Sequence, residues 1–517
     1  MALEAGEVQS PAEAKYLATY FKRSEGVCKH KVLITVVFVC LAVSVSDANI
    51  IYVDANGRGE YPTIQDAVND ANHGDVIILQ PGIYTGPGNY NIDPNGKSVT
   101  IRSTNPEDAK VIANTVIDPN DAGRGFNIHR GEDANCIISG LTIRNAYTGG
   151  NGGGIYCYNS SPTITNCVIT GNYAGTHGGG LFCQNSNCTI VKCVIGNNSS
   201  ANDGGGIECW RGKPVLTNCI IANNFANGAG GGADYFDCDN ITLRNCTFAK
   251  NSANSGGALS CWDSSITVNS SIFLANQATL GSQIALKTTS SSVVVSYSDV
   301  EGGASAVYDP YNGLAWGTGN MDADPCFASF NPNGDPNLWD FHLQSTDGRW
   351  DPTAGPAVDL TKNGFVDLQD FAVFAVLWLQ EGEDLAADFD DSNTIDLLDL
   401  KIMLDAYLTE QPLGMWVQDE VSNPCLDAGD PNSDWSAEPW PNGKRINMGA
   451  YGGTEQASKN GNIADLNIDG KVNFLDLAQL GNLWEETQET IEDLDNSGTV
   501  DIGDLDIFAT NWLWEKQ

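Results

Sequence analysis

Positive charge is scarce in this chain, and that scarcity excludes more than any other feature. Against 65 Asp and Glu there are 26 Lys and Arg, a formal net charge of −39. Such a surface repels nucleic acid and anionic membrane alike, so cations are its natural partners. From residue 351 onward acidic residues outnumber basic ones 34 to 7, which marks the last third as a part with its own function. Histidine is scarcer still, and the five present, His129 and His177 among them, form no metal-binding or triad pattern. Long apolar runs are also missing. The one of note, Val32 to Val43, follows Lys29-His30-Lys31 and is too short to span a bilayer comfortably. With the small residues ending at Ser46-Asp47-Ala48 it reads as a secretory signal peptide cleaved near Ser46 or Ala48, behind an odd polar prefix at 1–28. The expected location is secreted or cell-surface, with no membrane span after cleavage.

Fifteen cysteines in an exported chain would suggest a disulfide framework, but their spacing points elsewhere. Gly-Gly-Gly begins at residues 152, 178, 204 and 230, and Gly-Gly-Ala at 256, a period of 26. Each block repeats one plan: glycines, a short strand such as Ile155-Tyr156-Cys157-Tyr158, a turn, a second strand such as Thr163-Ile164-Thr165, then Asn-Cys, a β-branched pair and a closing Asn. The closing asparagines are Asn145, Asn172, Asn198, Asn224, Asn251 and Asn276, expected to stack on one another. Such a chain winds as a parallel solenoid, because one coil cannot bury its apolar face alone while coils ~4.8 Å apart share a core. Cys157, Cys183, Cys209 and Cys261 fall at one inward position and Cys167, Cys193, Cys219 and Cys246 at another, where they act as small buried hydrophobes. Cys188 and Cys238 fall outside these ladders and are the better candidates for oxidation. Further strands are expected at Ile50–Val53, Val76–Leu79 and Val99–Ile101. Between the first two, Ile64, Ala67, Val68 and Ala71 share one helical face, suited to covering an open solenoid end.

The stretch Tyr61-Pro62-Thr63-Ile64-Gln65-Asp66-Ala67-Val68, with Gly74-Asp75-Val76-Ile77 and Pro81-Gly82-Ile83-Tyr84, resembles the opening of pectin-lyase-like right-handed parallel β-helix proteins. The resemblance covers roughly residues 50 to 345 and implies an all-β right-handed parallel β-helix. It implies little about activity, since that fold hosts lyases, hydrolases, esterases, adhesins and non-catalytic proteins.

The clearest chemical signal lies downstream. In Asp465-Leu466-Asn467-Ile468-Asp469-Gly470-Lys471-Val472-Asn473-Phe474-Leu475-Asp476, oxygen donors stand at loop positions 1, 3, 5, 9 and 12 with glycine at 6. Hard Ca²⁺ takes six to eight such oxygens around a sharp turn. A second copy uses Asp493, Asp495, Ser497, Asp501 and Asp504. An earlier pair uses Asp388, Asp390, Ser392, Asp396 and Asp399, and Asp359, Asn363, Asp367 and Asp370 with the poorer donor Thr361. Amphipathic helices are expected after each loop, packing pairwise. Asp at position 12 of all four loops, with tandem loop-helix units, resembles the dockerin family, whose duplicated calcium modules dock onto cohesin domains of a scaffold or cell surface. At loop positions 10 and 11, where many dockerins carry a Ser-Thr-like pair, this chain has Leu368-Gln369, Leu397-Leu398, Phe474-Leu475 and Ile502-Gly503. Between the pairs, Asn423–Asp430 and Arg445–Gly453 resemble the closing motif of secreted β-helix proteins, so the first pair is expected to be inserted before a final coil.

With Ile155 and Cys157 inward, alternation turns two columns outward: Tyr156, Phe182, Glu208 and Asp234, and Tyr158, Gln184, Trp210, Phe236 and Trp262. Tyr158, Trp210, Phe236 and Trp262 make a candidate platform for stacking sugar rings, or equally a ladder that only supports the stack. Glu208 and Asp234 are the candidate catalytic carboxylates, with Arg211 nearby. The organisation expected is a signal segment at 1–48, a β-helix at 49–350, calcium pairs at 357–411 and 462–517, and a closing β-helix segment at 413–456. Three functions stay open: a secreted calcium-binding, polysaccharide-associated β-helix protein whose dockerin-type modules dock to a cohesin-like scaffold or cell surface, a polysaccharide lyase or glycosidase, and a non-catalytic structural or adhesive surface protein.

Overall fold

The computed structural model describes residues 48–334, 336, 339–351, 360, 368–377, 387, 395, 400, 403, 415–419, 421–442, 445–459, 461, 464–467, 471–482, 494 and 499–512. From Ile50 to Trp316 the chain winds as a parallel solenoid whose coils build four sheets. Sheet A has eleven strands, from Ile50–Val53 to Leu314–Trp316, and sheet B has nine, from Gly82–Tyr84 to Asp299–Val300. Sheet C has eight, from Phe126–Ile128 to Val307–Tyr308, and sheet D six, from Tyr147–Thr148 to Gln277–Leu280. One coil runs Ile155–Tyr158 in sheet C, Thr163–Thr165 in A, Val168–Thr170 in B and Tyr173–Ala174 in D before the next glycine corner.

The 26-residue period is the pairing register itself. Ile155 pairs with Leu181 and Cys157 with Cys183, and these pair in turn with Ile207 and Cys209. Inward residues of sheets A, B and C merge into one apolar core running the length of the rod. The expected end-capping helix, α1, is Ile64–Asp70, its first turn fastened by the Thr63 hydroxyl accepting from Asp66 N. Ile64, Ala67, Val68 and Ala71 are all buried in that core.

The asparagine ladder forms over Asn172, Asn198, Asn224, Asn251 and Asn276. Asn224 Nδ2 donates to Asn251 Oδ1 at 2.9 Å and to Ile195 O at 2.8 Å, and its Oδ1 accepts from Asn198 N at 3.0 Å. Every buried amide group is thus satisfied along the axis. Asn145, however, stands one residue off this column, where Ala146 N is the group that donates to Asn172 Oδ1, at 3.0 Å. Asn145 belongs to a second column with Gly171, Asn197, Asn223, Lys250 and Ala275, all of positive φ, where asparagine serves the left-handed corner instead.

The cysteines stack inside the rod as buried hydrophobes. Tyr235 interrupts the first column, standing between Cys209 and Cys261. Cys188 and Cys238 stand outside the two ladders as expected, yet both are fully buried, each with its sulfur against a ladder thiol: 3.1 Å to Cys183 Sγ and 3.5 Å to Cys209 Sγ.

The segment expected to close the rod as a final coil lies along its side instead. Among the described residues between 413 and 456, Met415–Val417 pairs antiparallel with Arg349–Asp351. Cys425, Leu426, Met448 and Ala450 pack with Ile220, Ala222 and Ile272 against the outer face of sheet B. Asn218 Nδ2 donates to Ala450 O at 2.9 Å and Asn245 Nδ2 to Asn447 O at 3.0 Å, fixing that contact. Outward apolar residues such as Ile220 give sheet B a second buried face, which the segment covers.

Candidate functional site

The outward aromatics of sheet C come together as the period requires. Trp210, Phe236 and Trp262 sit in register on successive strands, with ring centroids 6.1 and 6.3 Å apart. Tyr158 and Phe236 are each 37% exposed, and Trp210 and Trp262 are half-buried. Tyr158 is separated from Trp210 by Gln184, but joins the same surface through Tyr156, 6.5 Å away, and the Tyr156–Phe182–Trp210 contacts at 5.6 and 5.4 Å. Cations border both ends. The Arg124 guanidinium lies 4.9 Å over Tyr156 and the Lys287 ammonium 5.4 Å over Trp262.

The neighbouring column departs from expectation. Phe182, Glu208 and Asp234 point away from the core, yet they are 0, 1 and 3% exposed. Their cover is the glycine corner. At Gly204 and Gly230, both at φ +63°, an added Cβ would stand 2.6 Å from the Cβ of Glu208 and of Asp234, so only glycine lets the backbone fold over them. Arg211, expected beside them, pairs with Asp237 at 2.9 Å on the exposed surface instead.

Burial sets the chemistry of this acidic pair. Glu208 Oε1 accepts from Trp210 Nε1, while Glu208 Oε2 and Asp234 Oδ1 are buried without a hydrogen-bond partner. Desolvation, with the negative charges of Asp234 and Asp203 added, holds Glu208 far above the usual carboxylate range. Desolvation likewise raises Asp234 to about 7, opposed by the hydroxyl of Ser260 and the charge of Lys287. Neither group reaches a ligand lying on the rings. His177, 3.4 Å from Asp203, meets Trp210 edge-on at 5.0 Å, and burial lowers its pKa against the pull of Asp203. From the sequence, His177 showed no metal-binding or triad partner, and Asp203 and Lys287 were not singled out; in His177 and Asp203 a clue was present. Both stand one residue ahead of a glycine triplet, and that column was the signal available.

Of the candidate calcium ligands, Asp370, Asp465, Asn467, Asn473, Asp476, Asp501 and Asp504 are described. Asp359, Asn363, Asp367, Asp388, Asp390, Ser392, Asp396, Asp399, Asp469, Asp493, Asp495 and Ser497 lie outside the described residues. At position 12, Asp476 folds back to accept from Asn467 N at 3.1 Å and Asn473 N at 2.9 Å. Asp504 does the same with Leu494 N and with Asp501 N, the latter at 2.6 Å. Asp370, Asp476 and Asp504 are buried. Helices follow at α2 (Ala109–Asn114) in the rod and, in the tail, at α3 (Leu368–Leu377), α4 (Phe474–Asn482) and α5 (Ile502–Thr510). Leu466 with Leu494, Val472 with Val500, and Leu480 with Phe508 hold equivalent loop positions and share one small core. Leu360, Ile395, Phe374 and Met403, at those same positions in the earlier pair, share another.

Residues 88–273 and 153–324 match the family model described as right handed beta helix region. The rod is a right-handed parallel β-helix. Two solved structures are similar to this β-helix chain at 16% identity. One is the pectate lyase Pel9A, with a TM-score of 0.35, covering 78% of this chain and 96% of that one. The other is a pectin methylesterase from carrot, with a TM-score of 0.28, covering 53% of this chain and 82% of that one. Likeness at this level carries no argument about the β-helix's activity. Among curated proteins no match is found.

Proposed function

We propose that this protein is an exported β-helix that binds polysaccharide along its aromatic ladder and is held to a scaffold or cell surface by paired calcium loops of dockerin type. The carrying observation is the in-register Trp210–Phe236–Trp262 series, with ring spacings of 6.1 and 6.3 Å beside exposed Tyr158. Flat rings repeated at that interval offer successive stacking surfaces to a chain of sugars. Binding is favoured over cleavage because the stacked carboxyls of this face, Glu208 and Asp234, are covered by glycine corners. For the tail, support comes from the loop spacing and from the position-12 carboxylates, which already gather loop N–H groups as a metal-ready turn would. Calcium is thus the proposed cofactor and a cohesin-like protein the proposed partner.

The test is a glycan array and calorimetry on the full chain, with product analysis of any polymer bound. Retained polysaccharide without released fragments supports this reading. Reducing ends or unsaturated uronides would replace it with an enzyme, and no binding to any glycan with a structural protein. Capture of a surface protein that is lost on chelation tests the tail separately.

A further inference from the structure

Inside the rod, on the opposite side of sheet C from the aromatic face, three cysteine sulfurs converge. Cys157 and Cys183 are neighbours in the strand ladder of sheet C, and Cys188 reaches back into the core from the turn after Cys183. All three are 0% exposed, and their Sγ atoms lie within 4.8 Å of one another. Among the described residues this is the one group of three or more His, Cys, Asp or Glu side chains so disposed.

We propose that Cys157, Cys183 and Cys188 form a three-coordinate site for a soft, thiophilic monovalent ion of the Cu(I) class. Thiolate sulfur selects soft ions, whereas the hard oxygen donors of the tail select Ca²⁺, so one chain sorts two kinds of cation. Three donors in a dry apolar core suit an ion content with trigonal coordination, while zinc in a structural site wants a fourth ligand. A disulfide would use two sulfurs and strand the third, and Cys157 and Cys183 project in parallel from adjacent strands, a poor geometry for such a bond. Each thiol that coordinates gives up its proton to solvent and offers a sulfur lone pair. The ion stays monovalent and nothing is oxidised. Because the site is enclosed, the ion enters as the coils stack.

The experiment refolds the full chain anaerobically with one equivalent of Cu(I) and then challenges it with a strong Cu(I) chelator. One ion retained per chain, with three sulfur neighbours by X-ray absorption, is expected. Cys188→Ala should retain none, and Cys219→Ala, in the other thiol ladder, should still retain one. Circular dichroism checks that each variant has folded. Copper stripped fully from the wild type, retention unchanged in Cys188→Ala, or a Cys183–Cys188 disulfide in the protein as purified, would each overturn the site. The X-ray absorption result on the wild type decides the matter if the variants do not fold.

Discussion

The indole Nε1 of Trp210 donates to Oε1 of Glu208, so an aromatic of the exposed ladder is tied to a carboxyl buried beneath it. The bond joins the two columns of sheet C: the outer one can touch a ligand, and the inner one sets how the outer is held. Glu208 in turn stacks on Asp234 in the next coil, and the two cannot ionise together cheaply at low dielectric.

Trp210→Ala and Trp262→Ala should each weaken polysaccharide binding by about 2- to 13-fold, the loss of one ring contact of ~0.5–1.5 kcal/mol. Affinity electrophoresis or calorimetry reads this. Unchanged affinity in both variants would remove the ladder from the binding surface.

Stability should fall as the pH rises from about 4 to about 8. The folded pKa of Asp234 is raised from 3.8 to about 7, so the folded chain holds that proton more tightly than the unfolded one. Its contribution is therefore full below the unfolded value and is lost as the pH rises through the folded one, an upper bound of about 4 kcal/mol. Asp234→Asn should flatten the difference in melting temperature between pH 5 and pH 8. An Asn variant with the wild-type slope would mean the group is not held protonated.

Asn224 and Asn223 are adjacent but should lose stability for different reasons. Asn224→Ala removes both ends of a fully buried amide and leaves partners on Asn198, Asn251 and Ile195 unsatisfied, at a cost of about 2–4 kcal/mol. Asn223, at φ +54°, should lose ~1–2 kcal/mol as Ala and almost nothing as Gly, since its corner demands a left-handed backbone. Chemical denaturation compares all three. Equal losses for Asn223→Ala and Asn223→Gly would contradict the corner reading.

Asp476→Ala and Asp504→Ala should each bind one fewer calcium ion per chain, measured by titration of the full protein. Each should also lower the helix signal of the tail in calcium, because each carboxylate already closes its loop onto backbone N–H groups. Calcium stoichiometry equal to that of the wild type would remove position 12 from the ligand set.

Much of the rod was legible because the sequence repeats itself in three dimensions. A residue 26 positions on is a spatial neighbour, so Ile155, Leu181 and Ile207 announced their own pairing. The misplaced Asn145 shows the limit: asparagine serves both the amide ladder and the left-handed corner, and identity alone does not say which. Alternation likewise gave the direction of Glu208 and Asp234 but not their burial. That depends on a corner from elsewhere in the coil, and direction and exposure are separate properties.

What the sequence determined by itself, then, was everything carried by a fixed separation along the chain: the coil length, the strand ladders, the end-capping helix and the oxygen spacing of the loops. The tertiary structure alone decided the contacts whose separation follows no period. Cys188 swings inward to meet Cys157 and Cys183, and Ala450 crosses more than two hundred residues to lie on Asn218. A repeat encodes its neighbours by counting, whereas a turn that folds inward or a segment that settles on a sheet is chosen by which apolar face it can cover once the rod exists.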